Sequence, residues 1–495
     1  MATLSRDTVV SWIALLAVAA LVGTSVARVS TPVAILLTFA VIALLGLIVA
    51  RAAFVPRGHA DTPRDGVEDP RFRLPRLVYY CGAATIGLLT VRPAASLTLS
   101  DWLFFLALGL TVLVILVDGL RREYEIPSTI TVGVAIFAVG GLISSFDAVA
   151  AGESVGVVLR LGYLTLVWFW LGTVVLENRR HIEIAITAWV ASAAVSSAGA
   201  VVQFFYGDVI PGGDIAWGRM TGFTPHVNNL AGLAATAFVP ALMIAVDSST
   251  RSRKLVGMVA VALIAAGILL SGSVGAILTT SAATVFWLAL RGVSQRLVIS
   301  LGGVVAVAFI LMTSSGTTLS PAPLKRAEIV TSATGSPGQT EGSVFTRLRG
   351  YRSAWERIHA NPVIGVGLDP ESNERRLEGH YVHNIFINPW FSAGIFGLLG
   401  ILTMIVGGFT TARWVLQRSS ADDRRLVSGV LASFVAFVLF AMAEPILFVR
   451  YGWFSVAILV AIRAQILRAT ADERLVDGRQ VRRWSGPGRP VPADL

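Results

Sequence analysis

The sequence is dominated by a succession of apolar segments of about 20 residues, the length that an α-helix needs to cross the hydrocarbon core of a membrane. Only 14% of the residues are charged, well below the roughly 25% typical of soluble domains. About fourteen segments qualify, at residues 9–27, 31–50, 77–95, 100–118, 128–149, 154–176, 182–205, 226–246, 255–270, 272–290, 297–313, 385–410, 426–442 and 446–466. We therefore predict an all-α fold, a polytopic transmembrane helical bundle with about fourteen spans; about twelve is the alternative count, because some segments are short.

Basic residues orient the predicted spans, because short cytoplasmic loops carry an excess of Lys and Arg. With the N-terminus inside, most arginines fall in loops predicted to be cytoplasmic, such as Arg121 and Arg122. The short outer loops contain only Arg28, Arg92 and Arg219. The net charge of +10 is therefore read as a topology signal, and we expect a lipid bilayer rather than nucleic acid as the partner of this chain.

The same alternation places one long hydrophilic segment outside the cytoplasm. We divide the chain into a transmembrane bundle at 1–313, an extracytoplasmic loop at 314–384, a second part of the bundle at 385–467 and a basic tail at 468–495. The tail is rich in Arg, Pro and Gly, and we expect it to be cytoplasmic and disordered. The single cysteine, Cys81, lies in an apolar segment and is predicted to be a packing residue.

Part of the loop, residues 344–359, has the period of an amphipathic helix. Five apolar side chains fall on one stripe: Val344, Leu348, Tyr351, Trp355 and Ile358. We expect this stripe to pack on the outer face of the bundle. Arg347 lies at the edge of the stripe, so its guanidinium would be held toward the bundle, where a phosphate is a suitable partner.

The loop ends in Gly379-His380-Tyr381-Val382-His383-Asn384, directly before an apolar span. His383 and Asn384 are therefore predicted to lie at the outer membrane interface, at the start of a helix. A neutral histidine there can accept a proton near neutral pH. A purely structural role is the alternative for an isolated interfacial histidine, but the nearby His380 and the adjacent Asn384 favour a functional one.

A second external loop precedes the span at 226–246 and is rich in Gly and Pro. It contains Arg219 and leads to Asn228-Asn229 at a helix start. The positive end of that helix and Arg219 together favour an anion at the outer surface.

Charged residues within or beside the spans are costly and usually functional. Arg160 lies inside the span at 154–176, and Glu444 and Arg450 flank the outer turn between the last two spans. The alternative for Glu444 and Arg450 is a simple ion pair with each other.

Three stretches of the chain have to be considered together. They are Gly218-Arg219 through Thr221-Gly222-Phe223 to Pro225 and Asn228-Asn229; Arg347, Tyr351 and Ala354, running on to Asn361-Pro362-Val363-Ile364-Gly365-Val366-Gly367; and His383-Asn384 followed by Gly394-Ile395-Phe396-Gly397. In order, spacing and placement they resemble the O-antigen ligase and O-antigen polymerase family of polyprenyl-diphosphate-dependent glycosyltransferases, over about residues 200–400. Two positions depart from that family: Ser273-Val274-Gly275 stands where it usually has Ser-Arg-Gly, and Ser392 stands where an acid often follows the His-Asn pair.

The resemblance implies a multi-pass enzyme of the bacterial inner membrane, with both termini cytoplasmic and the active site outside. Its donor would be a glycan on a polyprenyl diphosphate, and its acceptor a sugar hydroxyl of another lipid-linked glycan. His383 would be the general base, oriented by Asn384. Arg347 would act with it by holding the diphosphate. The further substrate-binding candidates are Arg219, Arg160, Arg450, His380 and Asn228.

Direct displacement of the diphosphate would invert the anomeric centre. The external loops contain no Asp-x-Asp motif and no His, Cys and carboxylate set with ligand spacing, so we expect neither a metal nor a cofactor. The sequence leaves ligase and polymerase open. The alternative function is a lipid-linked oligosaccharide flippase, which Arg160 would suit but which does not account for the long external loop.

Overall fold

The computed structural model describes residues 69–92, 97–118, 125–210, 212–213, 215–216, 218–293, 343–377, 382–444 and 447–484. The predicted spans at 9–27, 31–50 and 297–313 lie outside these residues, as do His380 and the first part of the external loop, 314–342.

The described residues form a helical membrane protein with one short β-ribbon. The helices are α1 (Arg73–Thr85), α2 (Leu99–Val117), α3 (Ser128–Ser144), α4 (Ala151–Gly162), α5 (Trp168–Val175), α6 (Arg179–Tyr206), α7 (Val227–Asp247), α8 (Arg251–Leu270), α9 (Val274–Leu290), α10 (Ser343–Ala360), α11 (Pro370–Arg376), α12 (Ile387–Arg418), α13 (Ala421–Ala441) and α14 (Arg450–Trp484). A 3₁₀ turn at Pro70–Phe72 precedes α1, and a π-helical turn at Tyr163–Val167 joins α4 to α5. Strands β1 (Ile215–Ala216) and β2 (Arg219–Met220) pair antiparallel.

Eight helices of the described part are long and apolar enough to cross a membrane, with α4 and α5 counted as one rod. Helices α3 and α9 are apolar but shorter. The prediction of a polytopic helical membrane protein is therefore confirmed, and the predicted spans within the described residues, other than that at 77–95, overlap helices.

The segment predicted to span at 77–95 is the exception, because its helix α1 ends at Thr85. The 13 residues of α1 extend only about 20 Å, less than the hydrocarbon core of about 30 Å. After α1, the amide of Gly87 donates to Oγ of Ser192, and the amide of Thr90 donates to the carbonyl of Phe223. The apolar stretch thus continues as loop backbone whose hydrogen bonds are made by neighbouring elements.

Small residues allow a close contact between α3 and α12. A Cβ atom on Gly133 would lie 2.8 Å from the amide nitrogen of Met404, and one on Gly400 would lie 2.6 Å from that of Phe137. Without a hydrophobic driving force between helices in lipid, such close backbone approach supplies the packing energy.

Helix α12 is broken near its N-terminal end, and residues 362–367 fill the break. Gly394 has φ 68°, a left-handed value that glycine adopts without strain. The amides of Val366 and Gly367 donate to the carbonyls of Phe391 and Ser392, and the amide of Ile395 donates to the carbonyl of Pro362. The backbone groups freed by the break are therefore satisfied within the protein, which a membrane environment requires.

Helix α10 is rotated from the orientation that the apolar stripe predicts. Ala354 and Ile358 are buried, whereas Leu348 is 55% and Trp355 is 46% exposed. Exposed Leu348 and Trp355 correct the prediction that the whole stripe packs on the bundle. In this orientation Arg347, one position before Leu348, turns toward the bundle. Its contact there is with Glu444.

Candidate functional site

A buried carboxylate joins the two candidate catalytic residues. Oε1 of Glu444 lies 2.5 Å from Nη2 of Arg347, and Oε2 lies 3.3 Å from Nδ1 of His383. The Glu444 side chain is 6% exposed, whereas those of Arg347 and His383 are 30% and 27% exposed. The structure therefore places Arg347 and His383 side by side on one carboxylate, with both side chains still partly exposed.

Three chain segments converge to make this contact. Arg347 comes from α10, His383 from the residues before α12, and Glu444 from the turn between α13 and α14. The amide of Ile385 donates to the carbonyl of Ala441, and the side-chain amide of Asn384 donates to the carbonyl of Met442. These bonds hold His383 beside the end of α13. Their acceptors, Ala441 and Met442, lie three and two residues before Glu444 in the chain.

Asn384 and Tyr351 position the backbone around His383. Oδ1 of Asn384 accepts hydrogen bonds from the amides of Phe386 and Ile387, and so fixes the turn that leads into α12. The Tyr351 hydroxyl donates to the carbonyl of His383 at 2.6 Å. The hydrogen bonds that the Asn384 side chain makes with Met442, Phe386 and Ile387 all go to backbone groups. Asn384 thus positions His383 through the main chain rather than through its imidazole.

The pKa of Glu444 is held below its ordinary value of 4.5. Burial acts to raise that pKa, but the contact with His383, the charge of Arg347 and a hydrogen bond from Asn228 outweigh it. The carboxylate is therefore ionised at neutral pH and can orient His383 electrostatically.

Asn228 connects Glu444 to the second candidate arginine. The Asn228 side chain contributes to the lowered pKa of Glu444, and its Oδ1 accepts a hydrogen bond of 2.9 Å from Nη2 of Arg219. Nε of Arg219 donates to the carbonyl of Ser271 at 2.5 Å. Arg219 is only 3% exposed, so it acts on the site through Asn228.

Ser271 lies in the turn between α8 and α9, beside Ser273-Val274-Gly275. That turn is the place where the family resemblance leads us to expect an arginine. A Cβ atom on Gly272 would lie 3.1 Å from Cγ of Arg219. Arg219 therefore brings a guanidinium to a turn that lacks its own.

Arg450 pairs with a different carboxylate. Its Nε donates to Oδ1 of Asp101 at 2.7 Å, and its Nη2 bonds to Oδ2 of the same residue. The alternative in which Glu444 and Arg450 pair with each other is wrong. Asp101 lies in the first turn of α2 and is almost fully buried, so it neutralises Arg450 close to that helix end.

Arg160 lies on the exposed face of α4, near Arg450, Asp101 and Arg92. Of the predicted site residues in the described part, His383, Arg347, Asn228, Arg219 and Asn384 therefore lie in one connected group, and Arg160 and Arg450 lie in another.

Glu444 is the central residue that sequence reasoning missed. The family resemblance leads us to expect an acid a few residues after the His-Asn pair. This chain has Ser392 there, and its hydroxyl donates a hydrogen bond to Oδ1 of Asn373. The carboxylate beside His383 comes instead from a turn 61 positions later in the chain. In the sequence, Glu444 was marked only by its position as an acid between the last two predicted spans.

The site carries two guanidinium groups, Arg347 and Arg219, and one carboxylate, Glu444. With a neutral His383 its net charge is therefore +1, which favours an anion. With the imidazole proton on Nδ1, 3.3 Å from Oε2 of Glu444, Nε2 has a lone pair that can accept a proton. Such a group can hold an anionic leaving group and activate a hydroxyl at the same time.

Comparison with known proteins is consistent with this arrangement. No curated protein matches the chain. Residues 259–402 match the family model described as O-Antigen ligase. The matched range includes Arg347, His383 and Asn384, while Arg219, Asn228 and Glu444 lie outside it. The match confirms the resemblance that the sequence predicts: residues 259–402 are similar to the O-antigen ligase family.

Proposed function

We propose that the protein is an inverting, metal-independent glycosyltransferase that transfers a glycan from a polyprenyl diphosphate to a sugar hydroxyl of a lipid-linked acceptor at the outer leaflet of the bacterial inner membrane. The observation that carries the proposal is the contact of both Arg347 and His383 with Glu444. The family match supports the reaction class.

In the proposed reaction, the acceptor hydroxyl attacks the anomeric carbon while the bond from that carbon to the diphosphate oxygen breaks. The hydroxyl proton passes to Nε2 of His383. Glu444 orients the imidazole through Nδ1 and stabilises the imidazolium that forms, as a carboxylate does in a catalytic triad. Attack on the face opposite the leaving group inverts the anomeric centre.

The leaving diphosphate is held by Arg347. One Nη2–H of Arg347 is engaged by Glu444, and its remaining donors are available for phosphate oxygens in the fork geometry that suits them. Arg219 adds positive charge from its buried position and fixes Asn228 against Glu444. Charge neutralisation by guanidinium groups is the part that a metal would otherwise supply.

The reaction is tested with purified protein, labelled polyprenyl-diphosphate glycan and acceptor, in the presence of a chelator. The proposal predicts a product whose new glycosidic bond has the anomeric configuration opposite to that of the donor. A product with retained configuration, or a rate that collapses with chelator and returns with a divalent cation, would contradict it.

Ligase and polymerase differ in their acceptor, and deletion of the protein from its host separates them. Loss of glycan length would assign a polymerase. Long glycan that remains on its carrier would assign a ligase.

A further inference from the structure

A second basic group lies beside the start of α2, in the last turn of α4 and at the start of α14, apart from the contacts of Glu444. We call it the outer arginine cluster: Arg92, Arg160 and Arg450. These three arginines surround one carboxylate, Asp101, so the group has a net charge of +2.

The backbone brings the three arginines together. The amide of Leu99 donates to the carbonyl of Val91, which places Arg92 beside the start of α2. The capping box of Thr98 and Asp101 fixes the first turn of that helix. Arg450 makes its two-pronged contact with Asp101 from the first residue of α14.

Arg160 is brought near the start of α2 by contacts of Tyr163, three residues later in the chain. The Tyr163 hydroxyl, one turn further along, donates to the carbonyl of Asp101 at 3.3 Å. The Tyr163 ring stacks on Phe105 of α2 with centroids 4.4 Å apart. The π-helical turn that begins three residues after Arg160 is therefore packed against the start of α2, which brings the exposed Arg160 side chain near that helix end.

The charges of this cluster are not balanced. Asp101 is taken by Arg450, while Arg92 and Arg160 are exposed and make no ion pair with another described residue. The nearest acid on the helix of Arg160 is Glu153, seven residues and about 10 Å away. A cation on a membrane-spanning rod is costly without a partner, and snorkelling to the lipid phosphate level is the usual solution.

From this geometry we propose that the outer arginine cluster is a binding site for the phosphate group of an outer-leaflet lipid. Arg160 and Arg92 contact the phosphate, and Arg450, held by Asp101, forms the rear of the site. The exposed apolar side chains of α2, among them Leu106 and Leu113, offer a surface for the acyl or prenyl chain.

Two lipids carry this chemistry, the polyprenyl diphosphate of a substrate and an anionic phospholipid. Identification of the lipid as the acceptor substrate rests on the proposed function, because transfer between two lipid-linked glycans requires two lipid phosphate sites. Binding of a lipid phosphate as such does not depend on that function.

Native mass spectrometry of the full-length protein, released from detergent, tests the site. The probes are undecaprenyl diphosphate, phosphatidylglycerol and, without phosphate, undecaprenol. Arg160→Gln and the double variant Arg92→Gln/Arg160→Gln are compared with Arg352→Gln, whose side chain is 84% exposed on α10. We expect Arg160→Gln to weaken binding of at least one phosphate lipid about tenfold or more, and Arg352→Gln to leave it unchanged.

The tighter of the two phosphate lipids identifies the source. Binding of undecaprenol as strong as that of its diphosphate, or equal binding by Arg160→Gln and Arg352→Gln, would overturn the proposal. An Arg347→Gln variant separates the two sites: it should retain the diphosphate bound at the outer arginine cluster even if the function proposed above is wrong.

Discussion

Nη2 of Arg347 lies 2.5 Å from Oε1 of Glu444, and this ion pair ties the external helix α10 to the turn between the last two helices. The two residues are 97 positions apart in the chain. The same carboxylate contacts His383. A single buried acid therefore sets the distance between Arg347, proposed to hold the diphosphate, and His383, the proposed base.

His383→Ala should abolish transfer while the protein still inserts and folds. Loss of a general base costs about 10²- to 10⁴-fold in rate. The measurement is glycan product in a deletion strain complemented with the variant at equal expression. His359→Ala is the matched control. His359 is exposed on α10, where its ring lies beside that of Trp355. Near-normal product from His383→Ala would remove the base from the mechanism.

Arg347→Lys should lower transfer about 10- to 100-fold, which corresponds to losing one charge-assisted hydrogen bond. A lysine keeps the charge but cannot make a fork contact with both a phosphate and Glu444. Arg352→Lys, at an exposed position on the same helix, controls for the change of side chain. Equal rates for wild type and Arg347→Lys would be incompatible with a guanidinium clamp.

Glu444→Gln should lower the transfer rate about tenfold or more while glycan binding changes little. The glutamine keeps the shape of the side chain but cannot stabilise an imidazolium at His383. Rates at saturating donor and the donor concentration for half-maximal rate are measured separately. Partial recovery of the rate in Glu444→Asp would support a charge effect, whereas a change confined to donor binding would assign Glu444 to the substrate site alone.

The stability of the protein should depend on pH through Glu444. Because its pKa is lowered in the folded chain, its ionised contacts stabilise the protein fully above the ordinary pKa of 4.5, and this contribution is lost as pH falls through the lowered value. The midpoint of thermal unfolding, measured in detergent, should therefore be higher for wild type than for Glu444→Gln, by a difference that does not shrink from pH 7 to pH 5 and that shrinks below pH 4.5. A difference that already shrinks between pH 7 and pH 5 would contradict the direction of the pKa shift.

Gly394→Ala should destabilise the protein by more than about 2 kcal/mol, because a left-handed φ alone costs an alanine about 1–2 kcal/mol. In addition, its Cβ atom would lie 1.9 Å from the carbonyl oxygen of Val363. Gly156→Ala is the control, since a Cβ atom there meets nothing within 4 Å. Equal unfolding midpoints for the two variants would show that the loop does not fill the break in α12 as described.

Much of the fold could be predicted because the membrane imposes it. The length and apolarity of segments such as 182–205 and 226–246 sufficed to place α6 and α7 within a few residues. Helix α1 could not be bounded in this way, since the apolar residues after Thr85 continue as loop and bind Ser192 and Phe223.

The candidate site could be predicted only in its local parts. Spacing along α10 indicated that Arg347 turns toward the bundle, and position alone placed His383 before a helix. The role of Glu444 depends on contacts between residues about 60 to 100 positions apart, and no local pattern reports such contacts. The pairing of Arg450 with Asp101 was missed for the same reason, at a separation of 349 positions.

We propose that this protein forms glycosidic bonds rather than moving lipid. Purified wild type and His383→Ala are placed in liposomes that contain a labelled polyprenyl-diphosphate glycan and a lipid-linked acceptor, and both the labelled product and the leaflet of the labelled lipid are measured. The account predicts a longer or newly linked glycan with wild type and none with His383→Ala. Movement of the labelled lipid across the bilayer, equal in both proteins and without a new glycosidic bond, would contradict it.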